Sequence, residues 1–242
     1  MDRTNTNGLV EKLKSAANGN LRSVVLYGSA ATGNFSPKHS DVNILCLLRQ
    51  IDVPGLARLQ GAAKWWMKKG HPAPLIFTLE ELQRSADIYA VELLEIKSCR
   101  RVLFGEDVFE AFETPMHQYR LQVERELRHS LVRLRQSYVL AAGNRKAVMA
   151  LMVKSFSTFA LLFRHALMAL GEEAPAAKQE AVERLAALLG FSTTSFRELA
   201  GIRKGESRGK DFDARLIFRD YLESITRAVD VIDERLASEA AT

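Results

Sequence analysis

Short apolar runs alternate with amphipathic stretches over roughly the first hundred residues, and beyond them only helical periodicity remains. Leu9 to Ala17 carries apolar residues at helical spacing and stops at Asn18-Gly19-Asn20, predicting a first helix. Ser23 to Tyr27 and Val42 to Leu48 are apolar runs of strand length. Residues 55 to 69 place Leu56, Leu59, Ala63, Trp66 and Met67 on one side of a helix that ends at Gly70. Pro74 to Thr78 predicts a third strand. Thr78-Leu79-Glu80-Glu81 then has the order of a capping box, in which Thr78 and Glu81 satisfy each other's backbone N–H groups. Residues 90 to 98 are again helical in pattern, and Arg101 to Gly105 predicts a short edge strand.

From about Pro115 the strand signals cease. Residues 116 to 141 carry Leu121, Leu127, Leu131, Leu134 and Tyr138, expected on one buried stripe, before Gly143-Asn144 turns the chain. Residues 145 to 170 predict a second long helix, followed by helices near 175–189, 195–202 and 211–236. The fold class is therefore α+β, a small mixed-sheet domain over residues 1–113 followed by an all-α helical bundle over 114–242. Arg203 to Lys210 and the last five residues are the segments expected to be disordered.

Composition narrows the picture only a little. The 242 residues, 47 % hydrophobic and 26 % charged, suffice for a sizeable core. A net charge of +5 is compatible with a polyanionic ligand such as a nucleoside triphosphate or RNA. Cys46 and Cys99 form no CxxC and have no histidine pair beside them, so neither a zinc site nor a disulfide framework is indicated. The first residues lack the basic-then-apolar order of a signal peptide, and the most apolar stretch, 147 to 170, contains Lys154, Arg164 and His165. A cytoplasmic location, with no membrane partner, is the expectation.

Chemistry is legible in one place. Val24-Val25-Leu26-Tyr27-Gly28-Ser29 is followed after eleven residues by Asp41-Val42-Asn43-Ile44-Leu45, two strands joined through a Gly-Ser turn and a polar loop. The turn can present backbone N–H groups and a hydroxyl to phosphate, and positions 41 and 43, two apart on a strand, are expected to share a face and a metal ion. Lys38 and Ser40, just before Asp41, are further candidates for phosphate contact. This arrangement resembles the DNA polymerase β-like nucleotidyltransferases, whose signature is an apolar residue, Gly, Gly or Ser, nine to thirteen residues, then Asp, apolar, Asp or Glu, apolar. The two-part layout is similar to that of the kanamycin nucleotidyltransferase group.

The resemblance implies a nucleotidyltransferase domain in which Gly28 and Ser29 cradle the β- and γ-phosphates of a nucleoside triphosphate, ATP among them. It also implies that Asp41 and Asn43 occupy the metal-ligating and catalytic positions, with Mg²⁺ as cofactor. The chain departs from the pattern at Asn43, where the family has a second acid. Asn can offer an oxygen to Mg²⁺ but no charge. A third carboxylate is hard to find, because the strand Leu75-Ile76-Phe77 is apolar and Glu80 and Glu81 have a capping role; Glu92 and Glu95 lie one turn apart on a helix. Two functions stay open: transfer of a nucleotidyl group to a hydroxyl acceptor (a small molecule, a protein or an RNA), and a catalytically silent relative that senses a nucleotide or binds a protein. Oligomeric state is also open, a homodimer included. No GxxxxGK[ST] or HExxH is present, and Arg120, Arg125, Arg128, Arg133 and Arg135 alternate with glutamates as a solvated face would.

Overall fold

The computed structural model describes residues 5–31, 41–175 and 177–240. The chain divides into two compact units, Met1–Pro115 and Met116–Thr242. Each is built around its own apolar interior.

In the first unit, α1 (Thr6–Ala17) is capped by the Asn5 side chain, which accepts the Gly8 N–H at 2.7 Å, and ends where Asn18 and Gly19 turn left-handed at φ 47° and 81°. β1 (Leu21–Tyr27) follows, then β2 (Asn43–Leu48). Asp52 caps α2 (Val53–Met67) by accepting the Gly55 N–H at 2.5 Å. β3 (Leu75–Thr78) leads directly into α3 (Leu79–Arg84), whose expected capping box is formed: Thr78 Oγ1 accepts the Glu81 N–H at 3.1 Å and Glu81 Oε2 accepts the Thr78 N–H at 2.9 Å. α4 (Ala90–Ser98) and β4 (Arg100–Gly105) complete the unit.

The sheet order is β3-β2-β1-β4, with β1 antiparallel to β2 and to β4, and β2 parallel to β3 across the α2 crossover. Both faces of the two central strands are covered. Val24, Leu26, Ile44, Cys46 and Leu48 pack on one side with Leu9, Leu13, Leu59 and Trp66 from α1 and α2. Val25, Leu45 and Leu47 pack on the other with Leu82, Leu93, Ile96, Phe109 and Phe112. That double burial explains why β1 and β2 read as continuous apolar runs instead of alternating.

The second unit comprises α5 (Met116–Ala141), α6 (Arg145–Ala169), α7 (Lys178–Leu189), α8 (Thr194–Lys204) and α9 (Ala214–Ala240). α6 packs against the other four and carries Phe156, Phe159 and Phe163 into an aromatic cluster with Phe196 and Tyr221. It is the one helix among the described residues that is long and apolar enough to cross a membrane, yet thirteen of its side chains are buried against its neighbours. Its polar interruptions are accommodated: Arg164 Nε donates to the Pro175 carbonyl at 3.0 Å, and the buried His165 Nδ1 lies 2.8 Å from the Tyr119 hydroxyl.

Expectations fail here in α2, in α5 and after α8: Leu56 and Met67 lie off the buried side of α2, which runs through Leu59, Ala62 and Trp66, and are exposed. Leu121 does not join the buried stripe of α5, which runs through Tyr119, Val123, Leu127, Leu131 and Leu134; two residues out of phase with Tyr119 and Val123, Leu121 points outward and is 55 % exposed. The segment after α8 is folded and not disordered, because Arg145 Nη2 donates to the carbonyls of Gly209, Lys210 and Phe212 at 3.2, 2.5 and 2.7 Å. Arg203 Nη1 likewise donates to the Val153 carbonyl at 2.8 Å. An arginine fork that satisfies three carbonyls gives order without any apolar run to announce it.

Candidate functional site

The end of the sheet where β1 gives way to its turn gathers the motif residues that are described. Tyr27, the last residue of β1, stands opposite Asn43 on one side and Arg100 on the other, so Arg100, Tyr27 and Asn43 form one row across three strands. Gly28 then adopts φ 74°, a left-handed conformation that favours glycine, and opens a short 3-10 turn, Gly28–Ala30. The turn is closed by the Ala31 N–H to the Gly28 carbonyl at 2.9 Å. It is tied to the sheet by the Gly28 N–H, which donates to the Cys99 carbonyl at 2.8 Å. Gly28 and Asn43 are neighbours in space: a Cβ on Gly28 would lie 3.4 Å from Asn43 Nδ2.

Asn43 is the first residue of β2 and is half-buried. Asp41 does not lie on the strand, as expected from its spacing, but two residues ahead of it, and it is exposed. The ladder between β1 and β2 ends at the Tyr27–Asn43 pair because β1 turns away at Gly28, leaving no partner for residue 41. Val42 between them is 1 % exposed and belongs to the α1/α2-side core, which anchors the approach to β2. Asn43 has the parity of Leu45 and Leu47, whose core Tyr27 also packs against. The backbone of Ser29 lies within the 3-10 turn. Lys38 and Ser40 lie outside the described residues.

One group in the row carried no sequence signal of its own. Arg100 begins β4 and grips Asp107 with Nε at 2.9 and 3.0 Å and Nη2 at 2.8 Å, while its Nη1 donates to the Lys97 carbonyl. Asp107 also accepts the Phe109 N–H at 3.1 Å. The Arg100 guanidinium is the main reason the Asp107 carboxyl is held below the ordinary aspartate range. Arg100 follows Cys99 directly, and the Cys99 carbonyl holds Gly28. The ion pair therefore braces the α4–β4 junction on which the glycine turn rests. β4 opens on two arginines, Arg100 and Arg101, and only the register, which sets Arg100 beside Tyr27, distinguishes one from the other.

The supply of carboxylates is thin. Glu81 is occupied in its capping box, and Glu80 pairs with Arg84 at 2.7 Å. Glu92 is exposed and Glu95 half-buried on α4. Among the described residues no three His, Cys, Asp or Glu side chains come together as metal ligands. The described motif positions 41 and 43 thus offer one exposed carboxylate and one neutral amide. This set does not suit a resident two-ion centre, but Mg²⁺ is often bound through one carboxylate together with substrate phosphates, so it does suit an ion arriving with a nucleotide. Cys46 is no nucleophile, since burial pushes its thiol up to about 12.

No family model matches the sequence, and no curated protein matches it. Among solved structures the chain is similar to a spectinomycin adenyltransferase from Enterococcus faecialis, determined with ATP and spectinomycin. The TM-score is 0.49 at 14 % sequence identity, over 96 % of this chain and 100 % of that one.

Proposed function

We propose that this chain binds a magnesium nucleoside triphosphate at the Gly28 turn and passes its nucleotidyl group to a hydroxyl acceptor. The observation that carries the reading is the pairing of Tyr27 with Asn43, which brings the left-handed Gly28 turn against the start of β2. Because the Gly28 N–H is engaged by Cys99, the N–H groups offered to phosphate are those of Ser29 and Ala30, with Gly28 supplying the conformation. Ser29 adds its hydroxyl, and Lys38 and Ser40 complete the phosphate contacts. Asp41 and the amide oxygen of Asn43 hold the Mg²⁺, which when bound neutralises charge on the triphosphate. Catalysis then comes from fixing the α-phosphate against the acceptor oxygen, which bonds to the α-phosphorus and gives up its proton to solvent as the bond to the β-phosphate breaks and pyrophosphate leaves.

Asn43 favours a second reading, that of a nucleotide sensor without transfer, because it removes a negative charge from the metal position. The deciding experiment is thermal stabilisation of the wild type, Ser29→Ala and Asp41→Ala by each of the four nucleoside triphosphates, with Mg²⁺, with Mn²⁺ and with EDTA. Metal-dependent stabilisation lost in both variants supports the site and identifies the nucleotide for a transfer assay. Stabilisation without transfer to any hydroxyl acceptor selects the sensor, and no stabilisation by any nucleotide overturns both readings.

A further inference from the structure

Tyr27 is the residue on which β1 ends, and it stands directly opposite Asn43 on β2. Opposite positions in an antiparallel ladder share a face and hold their Cβ atoms about 5 Å apart, so the phenol and the amide leave the sheet side by side. Gly28 follows Tyr27 in the chain and lies against Asn43 in space, which sets both side chains beside the turn that offers the Ser29 and Ala30 N–H groups. Tyr27, like Phe77 and Val108, packs at the edge of the core that holds Val25, Leu45 and Leu47. That packing holds the ring and leaves the hydroxyl unused.

The polar groups of the row differ in how far they are engaged. Arg100, on the β4 side, has its guanidinium committed to Asp107 through Nε and Nη2 and to the Lys97 carbonyl through Nη1. The Tyr27 hydroxyl and the Asn43 amide, by contrast, make no hydrogen bond among the described residues, and both residues are half-buried, open to solvent on the rest of their surface. A ring placed only to cover a core needs no hydroxyl, and a tyrosine that buries much of its ring ordinarily finds a partner for its O–H. Burial raises the Tyr27 phenol above the ordinary tyrosine range, so the group stays protonated at neutral pH and serves as a donor.

We infer that the Tyr27 hydroxyl is a phosphate contact, donating beside Asn43 Nδ2 to an oxygen of the nucleotide's phosphate chain. This contact rests on the nucleotide reading above and adds to it a residue outside the Gly-Ser and Asp-x-Asn positions. With the Asn43 amide oxygen on the ion, its Nδ2 is left as a donor, and the phenol next to it is a second. Both are carried on paired strands, so little freedom is lost when they engage, and a hydrogen bond to a charged oxygen is roughly twice as strong as one between neutral groups. Because phosphate is common to every nucleotide, Tyr27 contributes affinity without choosing a base.

The test compares the wild type with Tyr27→Phe, which keeps the ring and its packing and removes only the hydroxyl. Thermal stabilisation is measured with Mg²⁺ and each of the four nucleoside triphosphates, and with Mg²⁺ and inorganic tripolyphosphate. Without ligand the two proteins should share one urea midpoint, since no hydrogen bond among the described residues is lost. With ligand, Tyr27→Phe should bind at least about tenfold more weakly, by the same factor for all four nucleotides and for tripolyphosphate. Tripolyphosphate has no near-ultraviolet absorbance of its own, so it should perturb the tyrosine absorbance of the wild type and leave that of Tyr27→Phe unchanged. A wild type that no nucleotide stabilises removes the site, and this contact with it. A stabilised wild type beside a Tyr27→Phe variant of equal affinity overturns the contact alone. So does a loss that differs among the four nucleotides or is absent with tripolyphosphate, which would put the hydroxyl on base or sugar. A ligand-free variant less stable than the wild type overturns it as well, by giving the hydroxyl a structural role.

Discussion

Restoring a carboxylate at position 43 isolates the question of whether residues 41 and 43 share an ion. Two residues along extended chain span about 6.6 Å, so Asn43→Asp places a second negative charge at about that distance from Asp41. Their repulsion is about 0.6 kcal/mol in water and about 2.5 kcal/mol at an effective dielectric of 20. A divalent ion about 4 Å from the new carboxylate gains about 2 kcal/mol in water and about 8 kcal/mol at dielectric 20. Because Asp41 is exposed, the aqueous figures set the floor: a net gain of about 1.5 kcal/mol, or roughly tenfold tighter metal binding. The variant should therefore be slightly less stable than wild type without metal and more strongly stabilised with it. The assay is the melting temperature as a function of Mg²⁺ and Mn²⁺ at fixed, saturating nucleotide. A metal midpoint within twofold of wild type, in a variant whose tryptophan emission and circular dichroism show it folded, would refute the shared ion.

The glycines give a graded series, read by urea denaturation through Trp65 and Trp66, both in the first unit. Gly19→Ala, at φ 81° with nothing within 4 Å, should cost only the left-handed penalty of about 1 kcal/mol; Gly28→Ala should match it, its new Cβ meeting Asn43 at an ordinary 3.4 Å. Gly105→Ala should cost more than about 3 kcal/mol, because its Cβ would lie 2.0 Å from the Arg22 carbonyl oxygen and force β1 from β4; equal costs at 19 and 105 would defeat the steric argument. For Asp107, whose folded carboxyl is held down chiefly by Arg100, the stabilisation is present above the unfolded value of about 3.9 and is lost as pH falls through the depressed folded value. Asp107→Asn should lower stability by roughly 1.5 kcal/mol at neutral pH and flatten the acid limb of the urea midpoint between about pH 5 and 3, and an unchanged acid limb would show that the pair does not brace the α4–β4 junction.

What the sequence disclosed and what it withheld follow from the range of the forces involved. Local signals were sufficient for the Thr78–Glu81 capping box, the Asn18-Gly19 stop and the span of α5, since each depends on residues three or four apart. The Gly28-Ser29 turn and the 41–43 pair were visible as a motif at a fixed spacing. The Arg100–Asp107 brace, the Cys99 carbonyl that engages Gly28, and the Arg145 fork are not local in that sense. They join groups that become neighbours only after the β1–β4 register and the α6 approach are set, and no periodicity encodes them.

Asn43 itself tilts the balance between the two functional readings. It is half-buried, starts a strand, and sits against a glycine with no basic residue opposite it on β1. A carboxylate there would be stabilised only while a cation was bound and would otherwise be a partly desolvated charge beside Asp41. A neutral amide carries no such cost in the empty state, and in exchange holds the ion less tightly. A chain that spends much of its time without nucleotide gains stability from that exchange, and one that must neutralise the negative charge of a triphosphate on every turnover loses rate by it. On this argument the nucleotide should bind with modest metal dependence, and transfer, where it occurs, should be slow in the wild type and faster in Asn43→Asp. An Asn43→Asp variant that binds metal more tightly yet transfers nothing would leave nucleotide sensing as the function of the site.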